Sequence, residues 1–233
     1  MLGHSHIVWA GAATLAAAGP LSSVAGHPLA PAQVAVAAGL AAGGALLPDL
    51  DQPGSTISRS LGPVTEALAH VVHRLSGGHR RGTHALVFPP LVFALATILL
   101  GIHPAALAPL LLVAFALVLR HGFPRGMARH GALVVAGGAL AATVATIAWV
   151  PLGCFVPAAL AAGCLEHSLA DALTSGGVPF LLPLSARQLS LPLIRRTGSG
   201  VELALTGIVS IAAVLLALHD FDPAAFHSLA TAF

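Results

Sequence analysis

The sequence predicts an all-α, polytopic membrane protein with about six to seven membrane-embedded helices and a polar site on one side. Of the 233 residues, 57% are apolar and only 8% are charged, and the mean hydropathy is +0.92. Soluble domains carry about 25% charged residues. Because apolar stretches recur from end to end, residues 1–233 form a single membrane domain with no separate soluble catalytic domain.

Seven apolar runs are candidates for helices that enter or cross a bilayer. Several are shorter than the roughly 20 residues of a perpendicular span, so we expect some to be tilted, re-entrant or buried against neighbours. Pro31, Pro104 and Pro151 stand where a helix would begin. No basic residue precedes Ile7, so we expect the first run to be retained rather than removed as a signal peptide. The runs are 7–25, 32–47, 85–101, 104–119, 132–150, 152–167 and 201–218.

All ten basic residues are arginines, and they lie in three polar connections, 48–84, 120–131 and 168–200. If the seven runs alternate across the bilayer, these connections share one face. By the positive-inside rule that face is cytoplasmic, which predicts an inner (plasma) membrane protein with an outside C-terminus. The arginines are Arg59, Arg74, Arg80, Arg81, Arg120, Arg125, Arg129, Arg187, Arg195 and Arg196.

The composition excludes several functional classes. A formal net charge of +2 provides no basic field for nucleic acid, so no nucleic-acid partner is expected. The chain has neither Lys nor Tyr, which excludes a Walker-type phosphate loop, a Schiff-base lysine and a catalytic tyrosine. The H-E-x-x-H and G-x-S-x-G motifs are also absent. Histidine, in contrast, is in excess, with 13 His against 8 acids.

Histidines and aspartates from four distant segments fall at the arginine-bearing ends of the predicted helices. Imidazole together with carboxylate suits zinc, or manganese or iron, and this number of groups predicts a site for two or three divalent ions. Of His4 and His6, we prefer His6 as a ligand, because it directly abuts the first apolar run. The four groups are His4 with His6, Asp49 with Asp51, His79 with His84, and His167 with Asp171.

Each group also has an ordinary structural explanation. The two aspartates can bridge cations from an extended segment, but Asp after Pro48 is common turn chemistry. His79 and His84 are about 140° apart on a helix, so they share a site only if Gly82 breaks the chain and Thr83 caps a new helix. Otherwise the two histidines belong to a solvent-exposed basic loop and do not share a site.

The last pair has the spacing of one helical face. His167 and Asp171 are four residues apart, which places their side chains about 40° apart around a helix. Thr174 follows three residues later, where it could orient the Asp171 carboxylate. Such a pair is a weak signal when taken alone.

A site of this kind usually performs hydrolysis, because the ions activate a bound water and hold the oxygens of an in-line displacement at phosphorus. Arg80 or Arg81 could pair with a phosphate oxygen, although an arginine here can also face anionic lipid headgroups. We therefore expect a membrane-bound metal-dependent hydrolase of a small-molecule or lipid phosphoester at the cytoplasmic face. The alternatives are a metal-free lipid phosphatase with a His nucleophile and a non-enzymatic metal-binding or transport protein.

Three motifs carry a resemblance to a known family. Residues 47–51 (LPDLD), 79–86 (HRRGTHAL) and 167–171 (HSLAD) resemble the LexA-regulated, inner-membrane metal-dependent hydrolases, the YdjM-like proteins, over residues 3 to about 185. The resemblance implies a membrane hydrolase with a divalent metal site and, more distantly, an all-helical fold similar to zinc-dependent phospholipase C. Carried over by position, it implies the metal ligands His6, Asp49, Asp51, His79, His84, His167 and Asp171.

We expect Asp51, which is one of these ligands, and Arg80 to be catalytic, and Thr83 and Thr174 to support the ligands. The sequence departs from the family in a longer segment before His79. That segment adds Glu66, His70 and His73 at helical spacing. An interfacial amphipathic helix is expected there, although its polar face could also supply a base or a ligand.

Overall fold

The computed structural model of the chain describes residues 1–122 and 131–221. Within these ranges all regular elements are helical, and the β contacts are two isolated bridges in the segment 174–194. The predicted all-α class is therefore confirmed for the described residues. The helices are α1 (Gly3–Ala16), α2 (Ala18–Ala25), α3 (Pro31–Gly44), α4 (Pro63–Ser76), α5 (Phe88–Ile102), α6 (Ala108–Gly122), α7 (Gly131–Trp149), α8 (Phe155–Ala172) and α9 (Gly200–Phe221), with 3-10 turns at Pro48–Asp51, Gly82–His84 and Pro104–Leu107.

Three of the described segments are long and apolar enough to cross a membrane: Pro31–Asp51, Pro104–Gly122 and Gly200–His219. A fourth is possible if α1 and α2, which are bent by 67° relative to each other, form one broken span. The apolar run 7–25, expected as one helix, is thus two. Pro20 explains the break, because it has no N–H to donate and is best tolerated in the first turn of a new helix.

Helices α3 and α8 form the centre of the molecule and touch through glycines. A Cβ on Gly163 of α8 would lie 2.0 Å from the carbonyl oxygen of Ala41 in α3. A Cβ on Gly44 would lie 2.4 Å from the carbonyl oxygen of Leu160. Glycine at both positions lets the two backbones meet directly, as small residues do in membrane helix pairs. The C-terminal ends of α3 and α8 are thereby fixed side by side.

The polar connections meet at one end of the helical bundle. Helices α1 and α9 begin next to each other there, and the Leu2 amide donates to Glu202 Oε1 over 2.7 Å. The end of α3 lies there too, since Ala45 O accepts from His167 Nδ1 of α8 over 2.6 Å. In the connection 120–131, Arg125 and Arg129 lie outside the described residues, as does the C-terminal segment 222–233.

The segment before His79 contains the expected amphipathic helix, α4. Its apolar residues at 64, 68, 71 and 75 follow a helical stripe that is exposed rather than packed on the bundle. Glu66 faces a neighbouring turn, where it accepts hydrogen bonds from Ser58 Oγ and the Gly54 amide, both at 2.8 Å. Its carboxylate and its neighbour His70 are therefore occupied away from the other acids. His73 reaches the polar end, where its Nδ1 lies 2.7 Å from the Asp51 carbonyl oxygen.

Candidate metal centre

The four groups singled out in the sequence converge at the polar end of the bundle. One comes from the second turn of α1, one from the end of α3 and its 3-10 turn, one from the loop before α5, and one from the last turns of α8. Most of these side chains are almost fully buried, while those of Asp49 and His79 are partly exposed. The described residues able to hold a metal form three overlapping sets: His6 with His167 and Asp171; Asp49 with His84 and His167; and Asp49 with Asp51 and His79.

Two histidines face each other at the centre of this cluster. The Nε2 atoms of His84 and His167 are 3.1 Å apart. The Asp49 Oδ1 atom lies 3.5 Å from the first and 3.6 Å from the second. Ligands about 2.0–2.1 Å from a tetrahedral zinc ion are roughly 3.3 Å apart from one another. The three atoms therefore have the spacing of one coordination sphere. Asp171 Oδ2 lies next to that sphere, 4.0 Å from His84 Nε2 and 3.8 Å from His167 Nε2.

The hydrogen bonds of the two rings determine which nitrogen is free. Ala45 O can only accept, so His167 Nδ1 carries a proton and its Nε2 has a lone pair. The Asp51 carboxylate accepts the Thr83 hydroxyl over 2.6 Å, so the Thr83 oxygen accepts from His84 Nδ1 over 3.1 Å. Metal-bound histidines are oriented in this way. When both rings are neutral, the lone pairs of the two Nε2 atoms point into the same space and repel each other. A proton or a cation is therefore needed between them.

His84 lies in the loop outside the membrane-spanning segments. Burial alone would lower the pKa of its imidazole, because it disfavours the charged form. The hydrogen bonds and negative charges of Asp49 and Asp51 outweigh burial and raise the pKa to about 8. Without a metal, His84 is therefore mostly protonated at neutral pH, and the proton stands where a cation would bind.

The Asp51 carboxylate holds the loop 79–84 in place. Its Oδ1 lies 2.7 Å from His79 Nδ1, and its Oδ2 accepts from the Arg80 amide over 3.0 Å and from the Thr83 hydroxyl. Asp51 is fully buried. Its geometry is that of a residue that positions His79 and His84, and the third set also offers it as a direct ligand.

His6 lies against the other side of His167. The two rings are stacked, with centroids 4.0 Å apart and planes at 21°. His6 Nε2 is 3.5 Å from Asp171 Oδ1, and both of its nitrogens are buried without a hydrogen-bond partner. An unpartnered buried polar group costs about 1–3 kcal/mol. A cation between His6 and Asp171 would satisfy the Nε2 atom of His6. The neighbouring His4 is exposed, so His6 is the one of the pair that reaches the site.

Arg80 is part of the cluster and pairs with Asp171. Its Nη2 lies 3.0 Å from Asp171 Oδ2, while the amino group of Met1 contacts Oδ1 of the same carboxylate. The backbone of Arg80 has φ 56°, a left-handed conformation that costs about 1–3 kcal/mol in a non-glycine residue and is common at functional sites. Arg81 instead packs along Gly77.

The expected role of Thr174 is wrong. Its hydroxyl donates to the main-chain carbonyl of Asp171 over 2.7 Å and does not orient the carboxylate. A threonine hydroxyl readily bonds the carbonyl three residues before it, and this local bond is favoured over a longer reach. Glu66 and His70 also lie outside the three sets, whereas His73 contacts the Asp51 backbone.

Two acids at the site were not singled out from the sequence. Glu166 is 3.9 Å from His6 Nδ1, and both of its carboxylate oxygens are buried without a partner. Glu202 is fully buried and accepts from the Leu2 amide, Ser5 Oγ and the Gly198 amide, which anchors the start of α1. Glu202 interrupts an otherwise apolar run, and an acid in that context is a signal of function in membrane proteins.

Comparison with known proteins identifies the family. The model of the family described as "YdjM inner membrane protein" matches residues 1–232. No curated protein and no solved structure matches the chain. The match extends over all four segments that supply the cluster. The chain therefore belongs to the YdjM inner membrane protein family.

Proposed function

We propose that this protein is a membrane-bound, metal-dependent hydrolase that cleaves a small-molecule or lipid phosphoester at the cytoplasmic face. The observation that carries the proposal is the pair of Nε2 atoms of His84 and His167, which lie 3.1 Å apart beside Asp49. Both rings are held in this orientation by acceptors on the opposite side, the Ala45 carbonyl oxygen for His167 and the Thr83 oxygen for His84. The resemblance of the sequence motifs to LexA-regulated hydrolases, and more distantly to zinc-dependent phospholipase C, implies the same activity.

The donor set and the unpartnered nitrogens of His6 fit divalent ions such as zinc, manganese or iron. Two or three ions are proposed. His167 has one nitrogen without a proton and can therefore bind one ion. Asp49 belongs to two of the three sets, and its two carboxylate oxygens can each bind an ion, one in each set. When bound, such ions activate water and polarise a phosphoryl oxygen.

The exposed members of the cluster face the side from which a substrate would arrive. His79 and Arg80 are both about one-third exposed, with side-chain values of 33% and 31%. We propose that Arg80 exchanges its contact with Asp171 for a phosphate oxygen of the substrate, since guanidinium binds phosphate with paired hydrogen bonds. Asp51 accepts from the Arg80 amide and contacts His79, so it would keep the backbone of the loop 79–84 in place during that exchange.

We also propose that six to seven helices are embedded in the inner membrane, with the metal centre cytoplasmic and the C-terminus outside. Exposed apolar residues on α5, α7 and α9, such as Leu91, Leu133 and Ile208, support lipid-facing roles for these helices. The stripe of α4 supports an interfacial position for that helix. Arg59, Arg187 and the other described arginines fall in connections at the same end.

The same cluster could serve a metal transporter, but its position favours hydrolysis. Transporter sites lie near mid-membrane on interrupted helices, whereas these ligands lie at helix ends. A metal-free phosphatase would need an unengaged histidine nucleophile beside the phosphate. The two central histidines do not fit that role, because His84 and His167 each bond through Nδ1 and direct Nε2 at a shared space.

The test is hydrolysis of a panel of phosphoesters by protein purified in detergent without chelator. Activity should appear with at least one ester, vanish after chelation and return when a divalent metal is restored. His84→Ala and Asp49→Asn should remove it, while His4→Ala should not, because His4 is exposed and outside the three sets. No hydrolysis across the panel, or hydrolysis that survives chelation, would contradict the proposal.

A further inference from the structure

A groove runs between α1 and α8 and ends at the metal centre. Its volume is about 290 Å³, and its lining is almost entirely apolar. Small residues keep it open, because Ala10 and Ala13 on α1 face Ala158 and Ala162 on α8. The polar residue at its inner end is Glu166.

Helical spacing gives the groove its direction. Ala158, Ala162 and Glu166 follow each other at four-residue intervals on one face of α8, so the groove extends along about 12 Å of that helix. On α1, His6 lies one turn before Ala10 on the same face. Because Glu166 Oε2 is 3.9 Å from His6 Nδ1, the inner end of the groove is the His6 side of the metal centre.

The groove opens sideways and is limited at its far end. Ala13 and Ala162 are exposed at its rim, so a chain in the surrounding lipid has lateral access. Leu21 and Val24 of α2 line the outer end, where the bend of 67° carries α2 across it. The volume is at the lower limit of ligand pockets, which span about 300–1,000 Å³. It therefore suits one hydrocarbon chain and not two.

Glu166 indicates what the occupant must offer next to its chain. Both carboxylate oxygens are buried and lack a hydrogen-bond partner, and Oε2 lies 3.9 Å from His6 Nδ1, beyond hydrogen-bond distance. Burying a carboxylate without a donor is unfavourable. A ligand with a hydroxyl or ammonium group at this depth would satisfy it.

We propose that the groove binds the single hydrocarbon chain of an amphiphilic phosphoester, with a hydroxyl or ammonium group between phosphorus and chain donating to Glu166. This inference rests on the proposed function and names its substrate class, a single-chain phospholipid. The chain would lie between the alanines of α1 and α8, and the phosphoester would reach the ions beside His6.

The experiment uses a lysophosphatidate with a photoreactive diazirine at the chain end, which carries the required hydroxyl. Irradiation with the purified full-length protein should label α2 at Leu21 or Val24, as mapped by mass spectrometry. Ala162→Leu fills the groove and should reduce this labelling by about fivefold or more, because the larger side chain occupies the space of the hydrocarbon chain. Ala141→Leu, at an exposed position of α7 outside the groove, should leave it unchanged.

Glu166→Gln should weaken labelling by the lysophosphatidate more than labelling by its deoxy analogue. Equal labelling of α2 in wild type and Ala162→Leu, or labels confined to other lipid-facing helices, would overturn the proposal. Labelling requires no turnover, so it tests the groove even if no phosphoester is hydrolysed. Conversely, hydrolysis of short-chain esters without α2 labelling would leave the hydrolase standing and refute the groove.

Discussion

Gly163→Ala is the substitution whose effect on the proposed metal centre follows most directly from geometry. The new Cβ would lie 2.0 Å from Ala41 O and 2.7 Å from Ala45 N, both backbone atoms of α3. Ordinary contacts of a Cβ begin at 3.4 Å, and no flexible side chain is available to give way. The two helices must therefore separate by about 1 Å or more.

That separation reaches the ligands. The bond from His167 Nδ1 to Ala45 O measures 2.6 Å, and lengthening it by about 1 Å ends it as a hydrogen bond. The distance from His167 Nε2 to Asp49 Oδ1 also spans the two helices, and metal sites tolerate about 0.2 Å. Losing a supporting bond of this kind typically lowers metal affinity about 10- to 100-fold. Overpacking should also destabilise the fold by about 1–3 kcal/mol.

Metal affinity is measured by competition with a chromogenic chelator, and stability by thermal unfolding in the same detergent. Gly137→Ala in α7 is the matched control, because a Cβ there meets no atom within 4 Å. The control should bind metal like wild type. If Gly163→Ala also binds metal with wild-type affinity and unfolds at the wild-type temperature, the contact between α3 and α8 does not determine the site.

Three further predictions concern other parts of the molecule. Glu202→Ala should destabilise the protein by about 3 kcal/mol and lower metal content, because three hydrogen bonds anchoring the start of α1 are lost; wild-type unfolding would argue against this. Metal affinity should rise up to about tenfold per pH unit below pH 8 and then level off, because the pKa of His84 is raised to about 8 and its proton must leave; titrations from pH 6 to 9 that show no pH dependence would contradict this. Single cysteines replacing Arg59 and His103 in a cysteine-free protein should be labelled from opposite sides of the membrane, and labelling of both from one side would refute the proposed topology.

Apolar periodicity was sufficient to predict the helices, because each buried or lipid-facing run is continuous in the sequence. It missed the break near Ala17, although Pro20 marks the first turn of the new helix. It also could not decide how many helices cross the bilayer. Helix α5 and the apolar stretch Leu133–Trp149 of α7 are shorter than a perpendicular span, and their depth depends on neighbours and lipid rather than on composition.

The convergence of the candidate site residues could be predicted in outline, because they lie at the ends of helices that share one polar end. Contacts that require packing were beyond sequence reasoning. Glu166 meets His6 only because α1 packs against α8, and Arg80 reaches Asp171 only through a left-handed backbone. Thr174 illustrates the opposite case, in which a local backbone acceptor competes with the expected partner.

The central claim, that this end of the bundle is a metal centre, is tested most directly by the metal content of the purified protein. His167 belongs to two of the three sets, so His167→Ala should lose most of the bound metal. His4→Ala, an exposed histidine on the same helix as His6, should retain it. Elemental analysis of protein isolated without chelator should find at least one divalent ion per chain in wild type. Metal-free wild type, or His167→Ala with wild-type metal content, would contradict the account.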